Sequence, residues 1–154
     1  MKQAHPAFQV IYEDNHLLIV NKANGVLVQG DSTGDTTLLD YGKEYIKEKY
    51  QKPGNVFLQA AHRLDRPVSG LVVLGRTSKG IARMGELFKK RKIQKVYWAV
   101  VKRRPREKQA KLEHWLSKNN EKNRVSAYDF PQEGAQRAEL RYKVLGKLND
   151  HYLL

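Results

Sequence analysis

One string restricts the fold more than any other: His62-Arg63-Leu64-Asp65-Arg66-Pro67-Val68-Ser69-Gly70-Leu71-Val72-Val73-Leu74-Gly75-Arg76-Thr77-Ser78. A charged turn runs straight into the apolar stretch Leu71–Leu74, and Thr77-Ser78 then opens a helical pattern. Turn, buried strand and helix must follow one another without slack. Charged groups this close to a buried strand are costly unless they are paired or used. Asp65 stands between Arg63 and Arg66, and two flanking cations suit a carboxylate charge. Pro67 fixes one backbone angle beside it, and Gly70 permits a sharp turn or a close approach. As residue types alone, Asp65 is most simply one half of a local ion pair on a loop. As chemistry, a carboxylate on a stiff turn ahead of a core strand can serve as a nucleophile or an acid–base group.

The rest of the chain alternates strand and helix signals. Phe8 to Glu13 reads as a strand, with Ile11 blurring its period of two. Asp14-Asn15 is a turn signal, and Leu17-Leu18-Ile19-Val20 suits a buried strand, so the two runs form a hairpin. Thr36 or Thr37 can cap a helix that runs to about Tyr50, and Pro53-Gly54 ends that unit. Ser78 to Lys92 reads as a second helix with Ser78 at its N-cap and a basic C-terminal end that suits the helix dipole. Lys95 to Val101 has strand composition, with Lys95, Tyr97 and Ala99 on one face. Lys102 to Arg124 is basic and polar, with loops at Pro105 and Asn119-Asn120 and one short apolar island, His114-Trp115-Leu116. Gln136 to Leu145 alternates as a half-exposed strand, and His151 to Leu154 begins another.

Charge is unevenly placed. The net charge is +13 over 154 residues. Residues 1–60 hold six Lys/Arg against seven Asp/Glu, a balance of −1, whereas residues 61–154 hold 23 against nine, a balance of +14. Such asymmetry favours a polyanionic partner drawn to the later part of the chain. There are no cysteines, which excludes disulfides and thiolate chemistry. No run approaches the ~20 apolar residues of a membrane span. The N-terminus lacks a signal-peptide layout, so the expected location is the cytoplasm.

The string from His62 to Gly70 resembles the signature of the RluA-like pseudouridine synthases, roughly H-R-L-D-x-x-T-S-G. Those enzymes isomerise uridine to pseudouridine in structured RNA. Val68 stands where Thr is usual, and the other named positions match. The opening hairpin is similar too. The family leads its strand into Asn-Lys-Pro-x-Gly, and here Asn21, Lys22 and Gly25 are kept with Ala23 in the Pro position. Tyr97 matches the middle of a Lys-x-Tyr-x-Ala strand.

The resemblance implies an α+β fold: a mixed, mostly antiparallel curved sheet with flanking helices, and Asp65 on a loop at the floor of a cleft. It implies that Asp65 is the catalytic carboxylate, acting either by attack on C1′ or by removal of a sugar proton. Arg63 would help displace the target nucleotide, and Tyr97 would stack on the flipped base. His62, Leu64, Ser69 and Gly70 would be structural positions of the motif. No cofactor and no metal are implied, because the isomerisation involves no redox change. Family members continue from a strand like the last one here into a T-G-R-x-H-Q-I-R segment whose Arg or Lys faces the carboxylate. Residues 1–154 are therefore expected to form the N-terminal part of an incomplete catalytic domain, with self-association through an open sheet edge.

Two functions follow from these readings: an isomerase acting on ribosomal or transfer RNA, or a non-catalytic RNA-binding fragment of such an enzyme. A metal-dependent nuclease has little support, since His5, His16, His62, His114 and His151 form no close cluster with Asp or Glu in the sequence.

Overall fold

The computed structural model describes residues 5–119 and 124–154, which fall into two compact units, Met1–Gln94 and Lys95–Leu154. The first begins with the expected hairpin, β1 (Phe8–Glu13) and β2 (Leu17–Lys22). Asp14 closes its turn, its carboxylate accepting from the backbone of His16 (2.7 Å) and Leu17 (2.6 Å). Val10 pairs with Val20 and Tyr12 with Ile19, so Ile11 is the extra residue of a β-bulge. The bulge explains the blurred alternation: the side chains change faces there, and Glu13 turns inward.

Helix α1 (Leu38–Lys49) starts at Thr37, as expected. Thr37 and Asp40 form a reciprocal capping box: Asp40 N–H donates to the threonine hydroxyl (3.2 Å), and Thr37 N–H to the carboxylate (3.0 Å). β3 (Gln59–Ala60) and β4 (Gly70–Gly75) complete a four-stranded sheet of order β1-β2-β4-β3, antiparallel throughout. Leu18, Val20, Val72 and Leu74 on the sheet meet Leu38 and Ile46 of α1 in the buried core. Gly42 lets helix and core approach, for a Cβ there would stand 2.7 Å from Leu58 Cδ2. Helix α2 (Ser78–Lys89) is capped by Thr77, one residue before the expected cap, and ends three residues earlier than expected. Thr77 is extended (φ −140°, ψ 153°), and its hydroxyl accepts from Gly80 N–H at 3.0 Å.

The second unit has two small sheets. β5 (Val100–Val101), β9 (Gly146–Leu148) and β10 (His151–Leu153) give the order β5-β10-β9. β6 (Gln109–Asn119), β7 (Arg124–Tyr128) and β8 (Gln136–Lys143) give β7-β6-β8. The α+β class and the antiparallel pairing agree with expectation, but the strands are shared among three sheets rather than one.

Two sequence expectations are corrected here. The strand expected over 95–101 forms only at Val100–Val101, because β5 pairs with β10 and the last shared rung is Ala99 with Leu154. The basic stretch, in which only the short apolar island His114-Trp115-Leu116 stands out, contains the longest strand of the protein's described residues, β6. The turn expected at Asn119-Asn120 lies partly outside the described residues; Asn119 itself closes β6.

Candidate active site

The His62–Gly70 loop departs from the sheet at a defined point. Ala61 N–H donates to Val73 O at 2.9 Å, continuing the ladder beyond β3. From the same valine, Val73 N–H donates to the imidazole Nε2 of His62 (3.1 Å). The histidine side chain thus accepts from β4 where the loop turns away. Its ring also packs on Phe88 of α2, centroid to centroid 5.0 Å. These contacts tie His62 to β4 and to α2. Leu64 is half-buried and packs on the core. Gly70 returns the chain to β4 with φ +140°, a backbone conformation that side-chain-bearing residues rarely adopt.

The turn between them is gripped from β2 and the loop after it. Asp65 O accepts from Val68 N–H at 3.0 Å. Arg66 O accepts from Gly25 N–H (2.9 Å) and from Lys22 Nζ (3.3 Å), and Pro67 O accepts from Asn24 Nδ2 (2.9 Å). Lys22 is only 1% exposed, and its ammonium also donates to Ala23 O (3.0 Å) and Val26 O (2.8 Å). Three carbonyls therefore satisfy the three protons of a buried cation. Burial pushes the Lys22 ammonium below its ordinary value, and the negative charge of Asp65 opposes that push.

Asp65 itself is exposed, and among the described residues its carboxylate makes no hydrogen bond or ion pair. The local pairing suggested by residue types is absent. Arg66 reaches away instead, with Nη1 2.7 Å from Asp35 Oδ2 and Nε donating to Gly25 O at 3.1 Å. Arg63 is exposed with no ion pair among the described residues, and Ser69 is exposed with no side-chain hydrogen bond among them. The loop brings His62, Leu64, Asp65 and Gly70 together with Lys22. Tyr97 belongs to the other unit, 55% exposed, in the segment before β5. A carboxylate with no hydrogen bond or ion pair among the described residues, on a turn braced by a buried lysine whose charge it feels, can act as a nucleophile or a base.

Asn24 and Asp35 join the site without having been singled out in the sequence. The spacing Asn21-Lys22-x-x-Gly25 signals the first grip, whereas Asp35 lies in a polar loop with no pattern. Ala23, in the family's Pro position, donates its N–H to Ala7 O at 2.9 Å, a bond proline cannot make. Among the described residues no group of three or more His, Asp or Glu is placed to hold a metal ion, and no helix is long and apolar enough to cross a membrane.

The profile of the family described as RNA pseudouridylate synthase matches residues 16–154. The ribosomal large subunit pseudouridine synthase C of Buchnera aphidicola (subspecies Acyrthosiphon pisum) is 34% identical over 93 residues, covering 60% of this chain and 28% of the relative. Its Vibrio cholerae namesake is 27% identical over 152 residues, covering 94% of this chain and 43% of the relative. The dual-specificity RNA pseudouridine synthase RluA of Haemophilus influenzae is 34% identical over 97 residues, 62% of this chain and 41% of that one. The chain thus spans less than half the length of these relatives. Among solved structures, human RNA pseudouridylate synthase domain containing 4 superposes with a TM-score of 0.76 at 22% identity, over 94% of this chain and 56% of that one. By the match over residues 16–154, the chain belongs to the RNA pseudouridylate synthase family.

Proposed function

We propose that the chain carries the catalytic-aspartate part of an isomerase that converts uridine to pseudouridine in structured RNA. The observation that carries this reading is the Asp65 carboxylate, exposed and without a hydrogen bond or ion pair among the described residues, on a loop held by Lys22, Asn24 and Gly25. In the reaction the N1–C1′ bond of uridine breaks, the base turns, and a C5–C1′ bond forms. The C5 proton leaves and N1 takes one up, so no electrons are gained or lost. Asp65 acts at the ribose, by attack on C1′ or by removal of a sugar proton. Arg63 helps to displace the nucleotide from its stack, and Tyr97 stacks on the extruded base. The proposed substrate is ribosomal or transfer RNA; the name of a relative, ribosomal large subunit pseudouridine synthase C, supports the ribosomal choice. Self-association was expected through an open edge at the last strand, but β10 pairs with β5 on one side and β9 on the other. The same reading places it instead at β5, which among the described strands pairs on one side only.

The test is tritium release from RNA carrying 5-tritiated uridine. In a version of the protein that also carries the C-terminal segment expected from the resemblance, Asp65→Asn should abolish release while RNA affinity stays within about twofold of that version's unsubstituted form, since the reacting group is lost and the phosphate contacts remain. Release by the variant at the wild-type rate would remove Asp65 from the chemistry. A second reading, RNA binding without turnover, is favoured by the +14 balance of residues 61–154. It predicts salt-sensitive RNA binding by the wild-type chain with no tritium release.

A further inference from the structure

The C-terminal turn of α2 is closed by its own backbone. Lys90 N–H donates to Glu86 O (2.8 Å), Arg91 N–H to Phe88 O (3.0 Å) and Lys92 N–H to Leu87 O (2.9 Å). The backbone thus caps these carbonyls itself, with Arg91 in the left-handed region at φ +52°. No lysine is needed as a capping donor. Lys90 pairs with Glu86 at 3.1 Å, but Arg83, Lys89, Arg91 and Lys92 are exposed and have no ion pair among the described residues. Some cations of the same unit are engaged, Lys49 and Arg76 with Glu13 and Arg66 with Asp35. Lys43, Lys47, Lys52, Arg63 and Lys79 also have no ion pair among the described residues but lie apart from this turn in the chain. Arg83, Leu87 and Lys90 follow one another at helical spacing and line a shallow groove with Glu86 and Lys92.

This surface adjoins the candidate active site. Phe88, in the last turn of α2, packs on His62. Asp65 is three residues further along the chain, which even fully extended spans only about 10 Å.

We propose that the Lys89–Lys92 turn, with Arg83, binds the phosphate backbone of the RNA strand that carries the target nucleotide, next to the Asp65 loop. The inference rests on the proposed function and adds to it the surface that holds the strand. A dipole-compensating role would need no more than one or two cations at the helix end. Four cations without an ion pair among the described residues, of which Arg83 and Lys92 line the groove, fit a run of phosphates.

The test compares the 154-residue chain with two triple variants that each remove three cations. One is Lys89→Gln/Arg91→Gly/Lys92→Gln; the other is Arg103→Gln/Arg104→Gln/Arg106→Gln in the second unit. The probe is a fluorescein-labelled RNA hairpin with uridines in its loop, titrated across a series of NaCl concentrations. The α2 triple should weaken binding about tenfold or more at ~100 mM salt and flatten the salt slope by about 2. The second-unit triple should weaken it less than about threefold. Arg91→Gly alone should lower affinity while its melting temperature stays at or above that of wild type, because glycine suits the left-handed position. That pairing separates binding from folding. An α2 triple within twofold of wild type, or equal losses in both triples, overturns the inference and leaves the proposed function standing. A wild-type chain that binds no hairpin overturns both.

Discussion

Leu74 of β4 and Leu140 of β8 both lie in well-paired antiparallel strands, yet Leu74 is fully buried and Leu140 is 54% exposed. The contrast runs through the two units. In the first, one face of the sheet is sealed by α1, and a polar loop is anchored to it by a buried lysine. In the second, no described residue is buried. Its larger sheet carries Ala110, Leu112, His114 and Leu116 opposite Tyr142, Leu140, Ala138 and Gln136 on one face. The other face is a ladder of ion pairs: Arg137 binds Glu113 with two contacts (2.9 and 2.6 Å), and Lys111 lies 3.0 Å from Glu139. Backbone pairing alone therefore does not make a strand a core strand. The first unit gains its order from burial, the second from ladder hydrogen bonds and exposed charge pairs, which contribute little each.

The sharpest way to break this comparison is to remove apolar volume from each sheet. Leu74→Ala should cost about 2–5 kcal/mol in urea unfolding, as large cavities in sealed cores do. Leu140→Ala should cost no more than about 0.5 kcal/mol, because little area leaves water there. Equal costs would mean that the second unit is packed as tightly as the first.

Lys22→Met comes next. It keeps most of the apolar stem but removes the ammonium that serves Ala23 O, Val26 O and Arg66 O. The first two carbonyls then lose a donor inside the fold, a loss of about 1–3 kcal/mol. The Asp65 loop keeps its bonds from Gly25 and Asn24, so local order measured by amide exchange at Val68 should fall more than that at Val72. Unchanged exchange at Val68 would show that Lys22 does not brace the turn.

Much of the first unit was legible in the sequence, and little of the second. β1, β2 and α1 follow from alternation, an Asx turn and a capping threonine, all local signals that burial reinforces. The motif residues were legible by resemblance. Their grip was only half legible, since Lys22 and Gly25 stand in a pattern while Asp35 is recruited by the path of the loop. Of β6 only the apolar island His114-Trp115-Leu116 stood out, because charged and polar residues make up much of the remainder of the strand. Its period of two, Ala110, Leu112, His114 and Leu116 against Lys111 and Glu113, was present but not anchored by burial. The short β5 shows the converse: Lys95–Trp98 has strand composition, but a strand forms only where a partner strand lies beside it.

The smallest effect, and the one that separates the two kinds of charge network, concerns acid. Glu13 is a hub at the end of β1. Its carboxylate accepts from Tyr45 (2.9 Å), Lys49 (2.6 Å), Tyr50 (2.8 Å) and Arg76 (3.0 Å), and its side chain is 9% exposed. Burial disfavours the charged form, but the bonds from Lys49, Tyr50 and Tyr45 together outweigh it and hold the carboxyl below its ordinary value of 4.5. A group whose folded value is lowered stabilises the fold fully above its unfolded value. That contribution fades as the pH falls from about 4.5 through the lower folded value. Glu113 is lowered too, by its hydrogen bond from Arg137, but that network is open to water and salt. Glu13→Gln should therefore lower stability at pH 7 by about 1 kcal/mol and flatten its fall below pH 4.5. Glu113→Gln should leave the acid limb of the urea-midpoint curve unchanged. If the two substitutions flatten that limb equally, burial does not distinguish the networks, and the contrast between the units is one of exposure without energetic consequence.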